Sequence, residues 1–180
     1  MAANPPVHII QANAADAIPV IDVIHKKIHE GLHFSTSHYE KLAGALSTVT
    51  ILITAPATNQ YHFVAEFGVD GPGLMTFSKA PNATATDGTV LVAYNNDENV
   101  ANDTGLVHVA NGIYTSSGTI LSTYVIGGSS GIGATKIVIG GDGGHRYEWE
   151  LAPSSKHLLR WVADLASCRT VIRTHFYKES

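Results

Sequence analysis

Cysteine is all but missing from this chain of 180 residues, with Cys168 the single example. No internal disulfide can form, and folding in a reducing cytoplasm is expected. Charge is sparse as well, at 14 % of residues, where a globular domain carries about one quarter. No run of Lys or Arg occurs, so the electrostatic footprint of a nucleic-acid binder is missing. No apolar run approaches the ~20 residues needed to cross a bilayer as a helix. The N-terminus, MAANPPVHII, has no basic n-region and does not read as a secretory signal. The N-x-T sequons at Asn82 and Asn102 therefore carry no meaning. Neither nucleic acid nor membrane is expected as a partner.

What is present points towards assembly. Hydrophobic residues make up 44 %, enough for a packed core, and the net charge is −4 with ten His counted as neutral. The surface must be covered by Thr, Ser, Asn and Gly, or be buried in part against partners. The length suits one domain with a short arm.

Period-two alternation dominates from Gly31 onward. Val49, Ile51 and Ile53 share one strand face. Tyr61, Phe63, Ala65 and Phe67 point one way, with His62 and Glu66 opposite. Tyr147, Trp149 and Leu151 alternate with Arg146, Glu148 and Glu150. Ile172, Thr174 and Phe176 alternate with Arg173 and His175. This is the signature of half-buried antiparallel strands. Further strands are expected at 32–41, 73–79, 89–94, 105–110, 118–126, 136–139 and 157–163, separated by Gly-, Asn- and Pro-bearing turns. About ten short strands without a long helix predict an all-β fold. The expected form is an antiparallel β-sandwich, jelly-roll-like, over 31–180, preceded by an extended N-terminal arm over 1–30. Within that arm, Ile21, Ile24 and Ile28 have helical spacing, with Asp16 as a cap and Gly31 as a stop. The β-branched content tips the reading of 18–30 towards an extended segment.

No motif makes a convincing catalytic or cofactor site. GGSSGIGA at 127–134 comes after an apolar strand, as a dinucleotide-binding loop would. That loop needs a helix behind it to hold a pyrophosphate. Here TKIVIGGDGG stands in that place instead, and none of the seven Tyr has a Lys four residues on. Roughly 50 residues remain, too few for the other βα units. A glycine-rich loop or hairpin is the expected form. His25, His29 and His33, with His38 and Glu40 beyond, could supply metal ligands. Their spacing differs from the H-x-H-then-Glu pattern of cupins, and they read as structural or interface histidines. Cys168, between Ser167 and Arg169, reads as inert filler in a strand connection, although Arg169 would tend to lower its pKa. Asp70, Asp87, Asp97, Asp103 and Asp142 lie in turns where Asp needs no ion to account for it. Glu148 and Glu150 could pair as glycosidase carboxylates. Cross-strand pairing with Arg160 or Arg173 is the simpler account. No catalytic residue, cofactor or metal is assigned. The candidate interface residues are Val7, Ile9 and Ile10, the apolar anchors of the arm.

Several segments together resemble a known family. They are IHEGLHF (28–34), TVTILITAP (48–56), VAYNNDENVA (92–101), TILSTYVIGGSSGIG (119–133), GGDGGHRYEWELAPSSKHLLRWVAD (140–164) and IRTHFYKE (172–179). In order and spacing they are similar to the small β-rich virion proteins of tailed phages encoded near the major capsid protein. The resemblance implies a capsid decoration or cement protein, not an enzyme, made in the host cytoplasm and placed on the capsid surface. It implies the major capsid protein as partner and a homo-oligomer, with a trimer favoured. A tail or fibre-base protein, or a β-sandwich module binding carbohydrate or metal, are the alternatives.

Overall fold

The computed structural model describes residues 23–79, 81–83, 88–126, 135–139 and 149–178. A helix, α1 (Val23–His29), precedes the strands β1 (His33–Lys41), β2 (Thr48–Thr54), β3 (Tyr61–Val69), β4 (Gly73–Lys79) and β5 (Asn82–Ala83). Next come β6 (Thr89–Asn95), β7 (Asp103–Ala110), β8 (Tyr114–Ser116), β9 (Thr119–Ile126) and β10 (Thr135–Ile139). The chain closes with β11 (Trp149–Leu151), β12 (Lys156–Ala163) and β13 (Arg169–Lys178).

One curled antiparallel sheet holds eleven of these strands, in the order β10-β3-β13-β1-β6-β7-β2-β12-β4-β9. β11 pairs with Tyr61–Phe63 of β3, end to end with β10, which pairs with Ala65–Val69. β5 and β8 form a separate ribbon. β6 carries the sheet from one half to the other. It meets β1 only at Phe34↔Asn95 and Ser35↔Tyr94, then runs beside β7. The halves face each other through aromatic contacts. Phe63 of β3 stacks on Phe77 of β4 at 6.0 Å, and Phe176 of β13 meets His108 of β7 at 5.2 Å.

The alternation in β3 does what period-two patterning requires. Tyr61, Phe63, Ala65 and Phe67 are all fully buried, with His62 and Glu66 on the other face half-buried. Ile172, Thr174 and Phe176 of β13 are buried likewise. At roughly 1.5–3 kcal/mol for each large side chain taken out of water, this double row supplies much of the folding drive.

Three local expectations need correction. Residues 23–29 are helical rather than extended. Lys26 and Lys27 both lie 3.5 Å from Glu30, and the helix ends on bonds from Gly31 N to Ile28 O and from Leu32 N to Lys27 O. Gly31 has φ 65, which closes this Schellman-type cap. Spacing and capping thus outweigh the β preference of the branched residues. The rest of the arm, and with it Val7, Ile9 and Ile10, lies outside the described residues.

β2 has no wet face. Val49, Ile51 and Ile53 line the main core as expected, yet Thr50 and Leu52 are also buried. Leu52, Val109 and Leu158 form a second apolar cluster, which Tyr114 of β8 helps to cover. Trp149 is partly buried, packed against the main core. Its ring leans on Phe77 at 5.2 Å. The fully buried tryptophan is Trp161, on the strand between β2 and β4. Finally, Glu150 sits opposite His62, while Arg173 sits opposite Glu66 and Arg160 between Thr50 and Thr76. The register denies Glu150 either arginine as a direct cross-strand partner; Glu148 is outside the described residues.

Candidate functional site

The outer face of β1, β13 and β3 gathers polar side chains from three distant parts of the chain. Cross-strand pairing places Ser37, Arg173 and Glu66 in one row and Tyr39, Val171 and Gly68 in the next. Lys41 and Arg169 make a third row, which Asp70 completes just beyond β3, its N–H donating to the Arg169 carbonyl at 3.2 Å. Side chains two apart along a strand share a face, so neighbouring rows lie about 6.7 Å apart. Val171 and Gly68 are the low point of the middle row, which Lys136 of β10 extends by register; the outer rows each carry an arginine and a carboxylate.

Gly68 opens a hollow in this face. One cavity of about 230 Å³ is lined by Glu66, Gly68, Val171 and Arg173, and a second of about 290 Å³ by Tyr39, Gly68, Asp70, Arg169 and Val171. They share the Gly68–Val171 floor. Tyr39 is 60 % exposed beside it. Asp70 accepts a hydrogen bond from the Arg169 backbone N–H, and its second oxygen lies 3.8 Å from Arg169 Nε, so this pair is held in place.

Of the histidines at intervals of four, the two with described side chains do not converge, and His33 stacks instead on His175 at 6.1 Å. His29 is exposed at the end of α1, whereas His33 is buried at the start of β1. Nothing is described for the side chain of His25. His38 instead contacts Glu40, Nε2 to Oε2 at 3.0 Å, and Asn111 Nδ2 donates to the same oxygen at 2.6 Å. Among the described residues no three His, Cys, Asp or Glu side chains assemble as a metal site. His108 is sealed in the core between Phe63 and Phe176, with Thr174 Oγ1 3.2 Å from its Nε2.

Cys168 is buried, and its thiol donates to the Leu165 carbonyl at 3.2 Å. Burial above all, then the Asp70 and Asp164 carboxylates, push this thiol up rather than down, against the effect expected of Arg169. Asp97 spends an oxygen on the Asn99 backbone N–H, as turn chemistry predicts. The glycine-rich stretch 127–134 lies outside the described residues, but the next described element is strand β10, antiparallel to β3. Among the described residues no helix stands where a dinucleotide-binding unit would need one, and none is long and apolar enough to cross a membrane.

Exposed apolar side chains occur in connections, as at Leu46 and Ile113, and in groups on two strands. Val90, Val92 and Tyr94 project from β6, and Ile120 and Val125 from β9. Among the described residues β9 terminates the sheet order, and its sequence, TILSTYVI, has no charge and no proline. Comparison of the chain with protein-family models, with curated proteins and with solved structures finds no match to any of them.

Proposed function

We propose that the chain is a phage virion structural protein, a capsid decoration or cement protein that stabilises the head by binding between capsid subunits. The observation that carries this reading is the pair of apolar strand surfaces in a chain so poor in charge. Val90, Val92 and Tyr94 stand more than half exposed on β6, and Val125 is 80 % exposed on β9. Natural edge strands are commonly guarded by Lys, Pro or a covering element. β9 carries no Lys or Pro, which suits a strand that meets other chains.

The proposed partners are the major capsid protein and further copies of this chain, as a trimer about shell three-folds. The proposed location is the outer surface of the head. A standard protein interface buries about 1,200–2,000 Å², and many repeated weak contacts give avidity without any single tight site. The N-terminal segment, with Val7, Ile9 and Ile10, supplies an additional anchor on a neighbouring chain. Deleting residues 1–17 should leave the β domain folded and weaken particle binding at least tenfold, about 1.4 kcal/mol. Equal binding by the truncated chain would remove the arm from the mechanism. Mass spectrometry of separated heads and tails tests the location: recovery in tails alone would replace this reading with a tail or fibre-base protein.

A further inference from the structure

Gly68 is the penultimate residue of a nine-residue strand, paired with Val171 on one side and Lys136 on the other, where glycine has no evident conformational task. Its φ is not positive, and a Cβ built there would meet nothing closer than Val171, at an ordinary 4.0 Å. Glycine inside a strand costs about 0.5–1 kcal/mol relative to Ala. Such a position often marks close approach by a ligand or another backbone. The hollow over Gly68 and Val171 lies between the Arg173–Glu66 row and the Arg169–Asp70 row.

We propose that this hollow binds a sugar ring, as a glycan site independent of the capsid-binding surfaces on β6 and β9. The ring would lie on the Tyr39–Val171–Gly68 row with its C–H face on Val171 and the edge of Tyr39. Polar groups then stand along both of its long edges, Arg173 and Glu66 on one side and Arg169 and Asp70 on the other. A polyol needs both donors and acceptors at its rim, and each row offers one guanidinium and one carboxylate. The register also brings Lys41 and Lys136 to this face, so an anion is the competing ligand, and the phosphate arm of the test separates the two. The geometry is that of a mostly apolar site with a few polar groups that fix orientation.

The test uses the full chain and four probes: maltose, cellobiose, lactose and diacetylchitobiose. Saturation-transfer NMR should show saturable binding of at least one, with the strongest transfer to ring C–H protons. Gly68→Leu, which fills the hollow from outside the core, should weaken that binding at least tenfold with thermal unfolding undiminished. Tyr39→Ala should weaken it similarly, and Tyr39→Phe should retain it. The proposal is overturned if none of the four binds or if Gly68→Leu binds like the parent. It is equally overturned if inorganic phosphate displaces the sugar and binds more tightly. A change in oligomeric mass on Gly68→Leu, without sugar binding by the parent, would make the hollow a contact between copies instead.

Discussion

Acidification should unfold this domain partly through one histidine, His157. It is 4 % exposed, stacked on Phe77 with centroids 5.3 Å apart, and its Nδ1 has no hydrogen-bond partner among the described residues. Burial, reinforced by the nearby Lys79 ammonium, lowers its pKa from 6.5 to about 4. The unfolded chain therefore takes up a proton near pH 6.5 that the folded chain refuses until about pH 4. Stability from this group is complete above pH 6.5 and is lost as the pH falls through that window. Each pH unit inside the window is worth up to about 1.4 kcal/mol, so moving from pH 7.5 to 5 should cost about 2 kcal/mol through His157. The assay is urea unfolding of the parent and of His157→Phe, which keeps a ring against Phe77 but cannot titrate. Other histidines contribute to both proteins, so the difference in pH dependence isolates this one. The variant should lose about 2 kcal/mol less than the parent over that interval. Equal losses in the two proteins would refute the argument, whatever the absolute stability of the variant.

Two further outcomes separate the architecture described from its alternatives. Trp161→Ala should cost about 3–5 kcal/mol in chemical denaturation, and Trp149→Ala, on a half-buried ring, roughly half as much; the reverse order would place the core on the wrong tryptophan. Gly31→Ala should cost about 1–3 kcal/mol for its positive φ, plus a clash, because the new Cβ would lie 2.8 Å from Val100 Cγ2. In a double-mutant cycle, Val100→Ala should relieve the clash but not the backbone cost, and full rescue would show that the left-handed cap is unimportant.

The strands of this protein are legible because burial imposes a period on them. YHFVAEFGV and RTVIRTHFYK alternate, and each folds with one face in the core. Turn residues mark most of their ends. The same logic fails for β2, where TVTILIT is apolar or small at successive positions. A period-two reading assigns it one buried face, whereas Val109, Leu158 and Tyr114 cover the other. Residues 23–29 are ambiguous for a different reason. Ile24 and Ile28 fit a helix by spacing and a strand by propensity, and the cap at Gly31 ends the segment as a helix.

The candidate site is invisible at the level of residues. Arg169, Asp70 and Glu66 are ordinary strand and turn residues, and Gly68 is one of 17 glycines. Only register brings residues 37–41, 66–70 and 169–173 into three adjacent rows. Local sequence determines which residues prefer strands and which side faces the core, because both depend on neighbours one or two positions away. Which strands become neighbours, and so which outward side chains share a face, depends on contacts across more than a hundred residues. That was decided by the closing of the β1–β13–β3 sheet, with Phe34 against Phe176 and Phe176 against Tyr61 fixing the pairing from the core side.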